Sequence, residues 1–263
     1  MNALTRMILP MAMMLSFFAP VQAGEMEDKG LAIATDRKQR DAGWGDSQSA
    51  VTMILRNAQG EESVREIRSQ TLEVADDGDK GLTIFDEPRD VKGTAFLNFS
   101  HIGKPDEQWL YLPALKRVKR IASRNKSGPF MGSEFAYEDM SSFELEKYSF
   151  RYLREEEVNG IACHVIEQVP NDEFSGYTKQ IVWLDKDHLR AWKIEFYDRK
   201  KSLLKTLTLA DYKQYKDQYW RAHTATMQNH QTGKSTVLKT ADIRFDTGLT
   251  DADFNKASLQ RIR

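Results

Sequence analysis

Five histidines and one cysteine are the side chains best equipped for chemistry in this chain, and their spacing argues against it. His101, His164, His188, His223 and His230 are scattered over separate segments. None forms an H-E-x-x-H pair or another zinc-binding spacing. Cys163 and His164 are neighbours, so on a strand they point to opposite faces and cannot act as nucleophile and base. The chain carries no G-x-S-x-G elbow, no phosphate-binding loop and no dinucleotide fingerprint. Its acidic runs, such as Asp76–Asp79 and Glu155–Glu157, read as solvated faces. We expect no catalytic residue, no bound metal and no cofactor, and so a binding protein rather than an enzyme.

Recognition chemistry is better represented. Lys116, Arg117, Lys119, Arg120, Arg124 and Lys126 crowd together. On a strand over 117–122, Arg117 and Lys119 would share one face with Ile121, and Val118 and Arg120 the other. Such a strand could protect a sheet edge from aggregation. It could also meet anionic headgroups or an acidic partner surface. The loop Ser127–Met140 follows at once, with Phe130, Met131, Phe135, Tyr137 and Met140 set among Gly128, Pro129 and Gly132. Glycine and proline forbid a regular element at its start. Methionine and aromatic rings suit an adaptable lid over an apolar ligand, or equally a packed connection between two parts of a sheet.

The elements that must position these residues are strands. Runs of strand character recur at 51–55, 64–74, 81–85, 94–100, 108–112 and 117–122, then at 148–158, 161–169, 180–184, 190–197, 203–215, 219–228 and 236–245. Turn residues separate them, notably Asn159-Gly160, whose two positions both favour positive φ and therefore a tight hairpin. Consecutive strands with tight turns imply an antiparallel meander that can bury one face. Trp192, Ile194 and Phe196 fall on one face by alternation, as do Tyr148, Phe150 and Tyr152. A helix is expected over 25–41, stopped near Gly43. A short C-terminal helix should open at Thr250, with Asp253 in the capping-box position.

Met1–Ala23 sets the compartment. One positive residue, Arg6, precedes an apolar run ending at Pro20, and Val21-Gln22-Ala23 places small residues at the −3 and −1 positions of a cleavage site. That is the layout of a secretory signal peptide, and the run is short against the ~20 residues of a membrane span. Cleavage is expected between Ala23 and Gly24, leaving 24–263 as a single exported β domain. The formal charge of the 263 residues is −1, which argues against attraction of the whole protein to nucleic acid. Cys163 is the only cysteine, so no internal disulfide can form.

Trp109-Leu-Tyr111-Leu-Pro113, the basic strand 116–120, Lys126-Ser-Gly128-Pro-Phe130-Met-Gly132 and Tyr137-Glu-Asp139 together resemble the outer-membrane lipoprotein-sorting protein family. These are LolA-like exported proteins of Gram-negative bacteria. The resemblance implies a mainly β fold, a half-open antiparallel β-barrel with a few helices and loops covering its concave face. It also implies a periplasmic carrier that binds lipid or lipoprotein acyl chains in an apolar cavity and touches membranes only transiently. Members of this branch resemble companions of inner-membrane transporters of the resistance-nodulation-division type. The alternative reading is an envelope-sensing module whose half-barrel binds a protein segment. Candidate cavity or gate residues are Trp109, Tyr111, Phe130, Met131, Phe135, Trp192, Ile194 and Phe196; candidates for headgroup or partner docking are Arg117, Lys119, Arg120 and Arg124.

Overall fold

A computed structural model describes residues 20–261, with side chains from Gly24 onward. A helix, α1 (Pro20–Arg40), leads into β1 (Asp46–Arg56), β2 (Glu62–Leu72), β3 (Lys80–Glu87), β4 (Ala95–Phe99), β5 (Glu107–Leu112) and β6 (Arg117–Ile121). After a long connection come β7 (Tyr148–Val158), β8 (Ile161–Pro170), β9 (Tyr177–Asp185), β10 (Ala191–Asp198), β11 (Leu203–Tyr215), β12 (Tyr219–Asn229) and β13 (Ser235–Phe245). Each of the thirteen segments expected to be strands forms one. The segment read as a signal peptide lies, through residue 19, outside the described residues, and its expected cleavage point falls near the start of α1.

All thirteen strands join one antiparallel sheet in the order β6-β5-β4-β3-β2-β1-β13-β12-β11-β10-β9-β8-β7. Two six- and seven-stranded meanders are fused where β1 pairs with β13 along most of its length, from Ser47↔Phe245 to Arg56↔Ser235. The sheet does not close, because its edges are β6 and β7. The expected half-open barrel is the fold observed. Local turn chemistry sets the hairpins. Asn159 and Gly160 take φ of 53° and 82°, and Lys216 and Asp217 take 49° and 56°, the doubly positive pattern that matches the twist of paired strands.

The connection from β6 to β7 links the two open edges, so it crosses the inner face of the curved sheet. Hydrophobic burial holds it there. Phe130 is fully buried and packs against Phe85, Phe96 and Tyr137. The surrounding core takes Met53, Ile67 and Leu110 from the first meander and Tyr177, Phe196 and Met227 from the second. Two single 3₁₀ turns, Phe130–Gly132 and Tyr137–Met140, replace any longer helix.

Two further segments cover the sheet. α1 lies on the inner face against β7–β10, where Ile33 and Ala34 pack with Phe150, Tyr152, Ile166 and Val182. Met26, Gly30, Ile33, Ala34 and Arg37 follow the 3–4 residue spacing of one helical face. Arg37, Lys38 and Arg40 sit in its last turn, where cations favour the negative end of the helix dipole. Glu73 then accepts the Gly43 and Gly45 amides at 2.7 Å each and fixes the turn into β1. The C-terminal segment covers the outer face instead. Phe254 and Leu259 pack on Leu82, Leu97 and Trp109. Thr250 and Asp253 form the expected capping contact at 2.7 Å, but the turns that follow are 3₁₀ rather than α.

Gly30 is the point of closest approach between α1 and the sheet. A Cβ at this position would meet the Tyr152 amide nitrogen at 2.6 Å and Arg151 backbone carbon at 2.7 Å. Backbone cannot give way as a side chain can, so the clash outweighs the helix propensity that alanine would add. Gly30→Ala should destabilise the protein by about 1–3 kcal/mol, read as a lower midpoint in urea unfolding; an unchanged midpoint would mean that α1 does not dock as described.

Candidate functional site

A cavity of about 1190 Å³ opens on the inner face, between the second meander, α1 and the crossing connection. Ile194, Phe196, Leu207, Leu209 and Met227 supply an apolar floor from β10, β11 and β12. Phe135, Met140 and Phe143 face it from the connection, and Arg37 reaches it from α1. Exposed Lys104 and Phe174 mark its rim. The walls mix this aliphatic and aromatic surface with many polar and charged groups, among them Glu138, Lys147, Gln168 and Gln180. Among the described residues no group of histidine, cysteine or carboxylate side chains could hold a metal ion.

Tyr137-Glu138-Asp139 bolts the connection to the second meander. Asp139 forms an ion pair with Lys205 of β11 at 2.7 Å, and the two side chains are 8% and 4% exposed. Asp139 also accepts the Tyr177 hydroxyl at 2.8 Å and the Ala136 amide at 2.7 Å. Lys205 donates a second bond to the Glu134 carbonyl at 2.8 Å and lies over the Tyr177 and Phe196 rings. A buried charge pair is tolerable only when its remaining bonding capacity is met in this way. Glu138 accepts Ser175 Oγ at 2.7 Å and the Gly176 amide at 2.8 Å, while burial pushes its carboxyl pKa up. The first meander is tied as firmly: Gln108 donates to the Tyr137 carbonyl at 2.8 Å, and Ser141 donates to Asp106 at 2.7 Å.

The expected cavity residues separate into three groups. Phe135, Ile194 and Phe196 line the cavity. Phe130 and Met131 pack within the core that fixes the connection, which makes this stretch a plug between the meanders. Trp109 and Tyr111 point the other way, into the cluster under the C-terminal segment, because Leu110 and Leu112 occupy the inner face of β5. Trp192 is the second correction. The register shifts between Ala191 and Lys193, so Trp192 is a bulged residue and leaves the face shared by Ile194 and Phe196. It packs with the outer cluster around Cys163 and Trp183, and its indole N–H donates to Asp185 at 3.1 Å. Cys163 is fully buried there, and burial pushes its thiol pKa up to about 11, so it is inert.

The docking candidates Arg117, Lys119 and Arg120 lie on β6, an edge strand, and Arg124 lies in the 3₁₀ turn Ser123–Asn125 that follows. Arg117, Lys119, Arg120 and Arg124 are all exposed. Arg117 and Lys119 lie opposite Leu112 and Leu110, and Arg120 lies opposite Trp109, the facing expected from alternation. Arg120 pairs with Glu107 at 3.3 Å.

Several lining groups carried no signal as separate residues. Arg37, Tyr148 and Tyr212 come from three elements and meet only through the curl of the sheet. Periodicity along α1 could have found the first, since it places a cation on the stripe that faces the sheet. Asp79, from the turn before β3, also reaches the cavity, and burial raises its carboxyl pKa to about 6.

Comparison with known proteins agrees with this geometry. The solved structure of a candidate outer membrane lipoprotein-sorting protein domain from Vibrio parahaemolyticus is 68% identical, covers 89% of this chain and 100% of its own, and superposes with a TM-score of 0.88. The chain belongs to the outer membrane lipoprotein-sorting protein domain family. A family model described only as an uncharacterized protein matches residues 77–261. A DUF1329 family protein from Desulfovibrio piger is 28% identical over 89% of this chain and 99% of its own, with a TM-score of 0.85. A LolA superfamily protein from Nitrosomonas europaea shares the fold at 20% identity, covering 87% and 98% of the two chains with a TM-score of 0.69. No curated protein matches. The Vibrio parahaemolyticus relative is described as a lipoprotein-sorting domain and not as an enzyme.

The Asp139–Lys205 pair gives a direct test of how the connection is held. Asp139→Asn should cost about 3–5 kcal/mol, because Lys205 is left buried without its counter-charge. Adding Lys205→Met should recover part of the loss, and urea unfolding of the two single variants and the double variant measures the coupling. Additive effects would show that the two side chains do not act as a pair.

Proposed function

We propose that the protein is a periplasmic carrier that binds the acyl chains of a lipid or lipoprotein in the inner-face cavity. The observation that carries this reading is the 1190 Å³ cavity floored by Ile194, Phe196, Leu207, Leu209 and Met227. Burying acyl methylenes against such a surface contributes about 0.8 kcal/mol for each CH₂ removed from water. The family likeness and the layout of Met1–Ala23 support a periplasmic setting after removal of the signal peptide.

A carrier must also let go of its cargo, and the cavity suits that need. Its polar lining and half-exposed aliphatic groups make a loose fit, in contrast to the tightly packed plug around Phe130. The partner of choice is an inner-membrane transporter of the resistance-nodulation-division type, a reading that rests on the resemblance carried by the basic strand and the Gly-Phe-Met-Gly loop. The exposed basic edge β6 offers it, or an anionic membrane surface, a complementary face.

Two measurements bear on this. Ile194→Arg places a charge in the apolar floor and should weaken binding of a fluorescent fatty-acid probe about tenfold or more, the equivalent of about two buried methylenes. Lipids identified by mass spectrometry on protein purified from the periplasm should include acyl species. A cavity that rejects every acyl probe would overturn the carrier role.

The double reversal Arg117→Glu with Lys119→Glu should leave the melting temperature within a few degrees, since surface charges contribute little to stability. It should reduce co-sedimentation with vesicles rich in phosphatidylglycerol, or cargo delivery in cells. If neither changes, the basic run serves only to protect the sheet edge.

A further inference from the structure

Arg37 is set apart from the other cations of the cavity. Lys80, Lys126, Lys147 and Arg221 each pair with a carboxylate: Asp251, Asp172, Asp106 and Asp41. Lys104 lies at the exposed rim. Among the described residues nothing accepts a hydrogen bond from the Arg37 guanidinium. Its nearest described contact is the face of Phe143, 4.8 Å from the ring centre. It is half-buried, and desolvation lowers its pKa. It nevertheless keeps accessible surface, because that surface faces the cavity. An arginine stays charged in any such setting, so its five donors are held in a sheltered space without an acceptor.

The groups around it leave the charge uncompensated. Asp41 is the carboxylate that acts on it most strongly, and Asp41 is already bonded by Arg221 at 2.5 Å. The Tyr212 hydroxyl donates to the Ala191 carbonyl. The Tyr148 hydroxyl has no hydrogen-bond partner among the described residues and lines the same cavity. Two buried lining carboxylates are engaged elsewhere: Asp139 with Lys205, and Glu138 with Ser175 and Gly176. The apolar floor at Ile194 and Leu209 lies in the same cavity.

We infer that the cavity takes an amphiphile with an anionic end group, a carboxylate or a phosphate, bound inside the cavity by Arg37 with the Tyr148 hydroxyl as second donor. The inference rests on the carrier reading and refines it: the charged end enters the cavity together with the chain. Planar guanidinium donors match both oxyanions, and a charge-assisted bond in a space shielded from bulk water is strong. A lipid with no anionic group would leave Arg37 unmatched.

The test compares 11-(dansylamino)undecanoic acid with its methyl ester by fluorescence titration of the wild-type protein and of Arg37→Gln. The acid should bind wild type about tenfold or more tighter than the ester. Arg37→Gln should remove most of that preference by weakening the acid and leaving the ester unchanged. Its thermal melt should be no lower than that of wild type, because the substituted charge has no ionic partner to lose. Equal binding of acid and ester by wild type, or an unchanged preference in Arg37→Gln, would overturn the inference while the carrier role stands. Binding of neither probe to wild type would overturn both. Competition with lauric acid and with lysophosphatidic acid identifies the source: displacement by the first alone assigns a free fatty acid, by the second alone a phosphate headgroup, and by both a site that reads anionic charge in either form.

Discussion

The Asp139–Lys205 ion pair is the constraint on which the arrangement of the inner face depends. The sheet is open, and its edge strands β6 and β7 are consecutive in the chain. The connection between them has to cross the concave side. Crossing brings polar backbone into an apolar interior, where each unsatisfied group is costly. Asp139, Glu138 and Gln108 meet that requirement by bonding the connection to both meanders. Phe130 adds the apolar side of the same anchor. With the connection held at this level, the space beyond it cannot be filled, and the cavity is what remains.

The same constraint explains why the cavity is lopsided. In the first meander β3, β4 and β5 are covered on both faces, since the plug lies on the inner side and the C-terminal segment on the outer side. The second meander is covered by α1 only over β7–β10, and β11 and β12 keep half-buried aliphatic residues such as Leu207 and Leu209 on the inner face. Apolar surface left partly open in this way marks a place where something else is meant to be buried.

Local signals were enough for the strands. Alternation and turn residues such as Asn159-Gly160 act over a few positions, so they are readable without knowing the fold. The family motif 108–139 was legible too, because its residues are contiguous. What escaped was non-local or depended on one extra residue. Pairing of β1 with β13 joins segments about 190 positions apart in the chain and leaves no local trace. One bulge at Trp192 moves a large ring to the opposite face, and strict period-two counting cannot detect it. Trp109 and Tyr111, expected at the cavity, lie on the outer face instead, and the deciding factor is the cover that the distant residues Phe254 and Leu259 give to that face.

Charge placement separates the two basic features of the chain by physics rather than by count. On β6 the cations are solvated, so water and salt screen them and their effect is on encounter and orientation. Arg37 is a single cation, yet it sits where screening is weaker and where partial desolvation is not offset by a hydrogen-bond acceptor among the described residues. A folded chain gains nothing from such a group while the cavity is empty, since desolvation of an unpaired charge opposes folding. It becomes favourable only when an anion shares the cavity. On the proposed loading with an anionic amphiphile, the energetic cost of holding Arg37 in place would fall on the unloaded state and be relieved on binding, coupling occupancy of the cavity to the stability of the α1 face that encloses it.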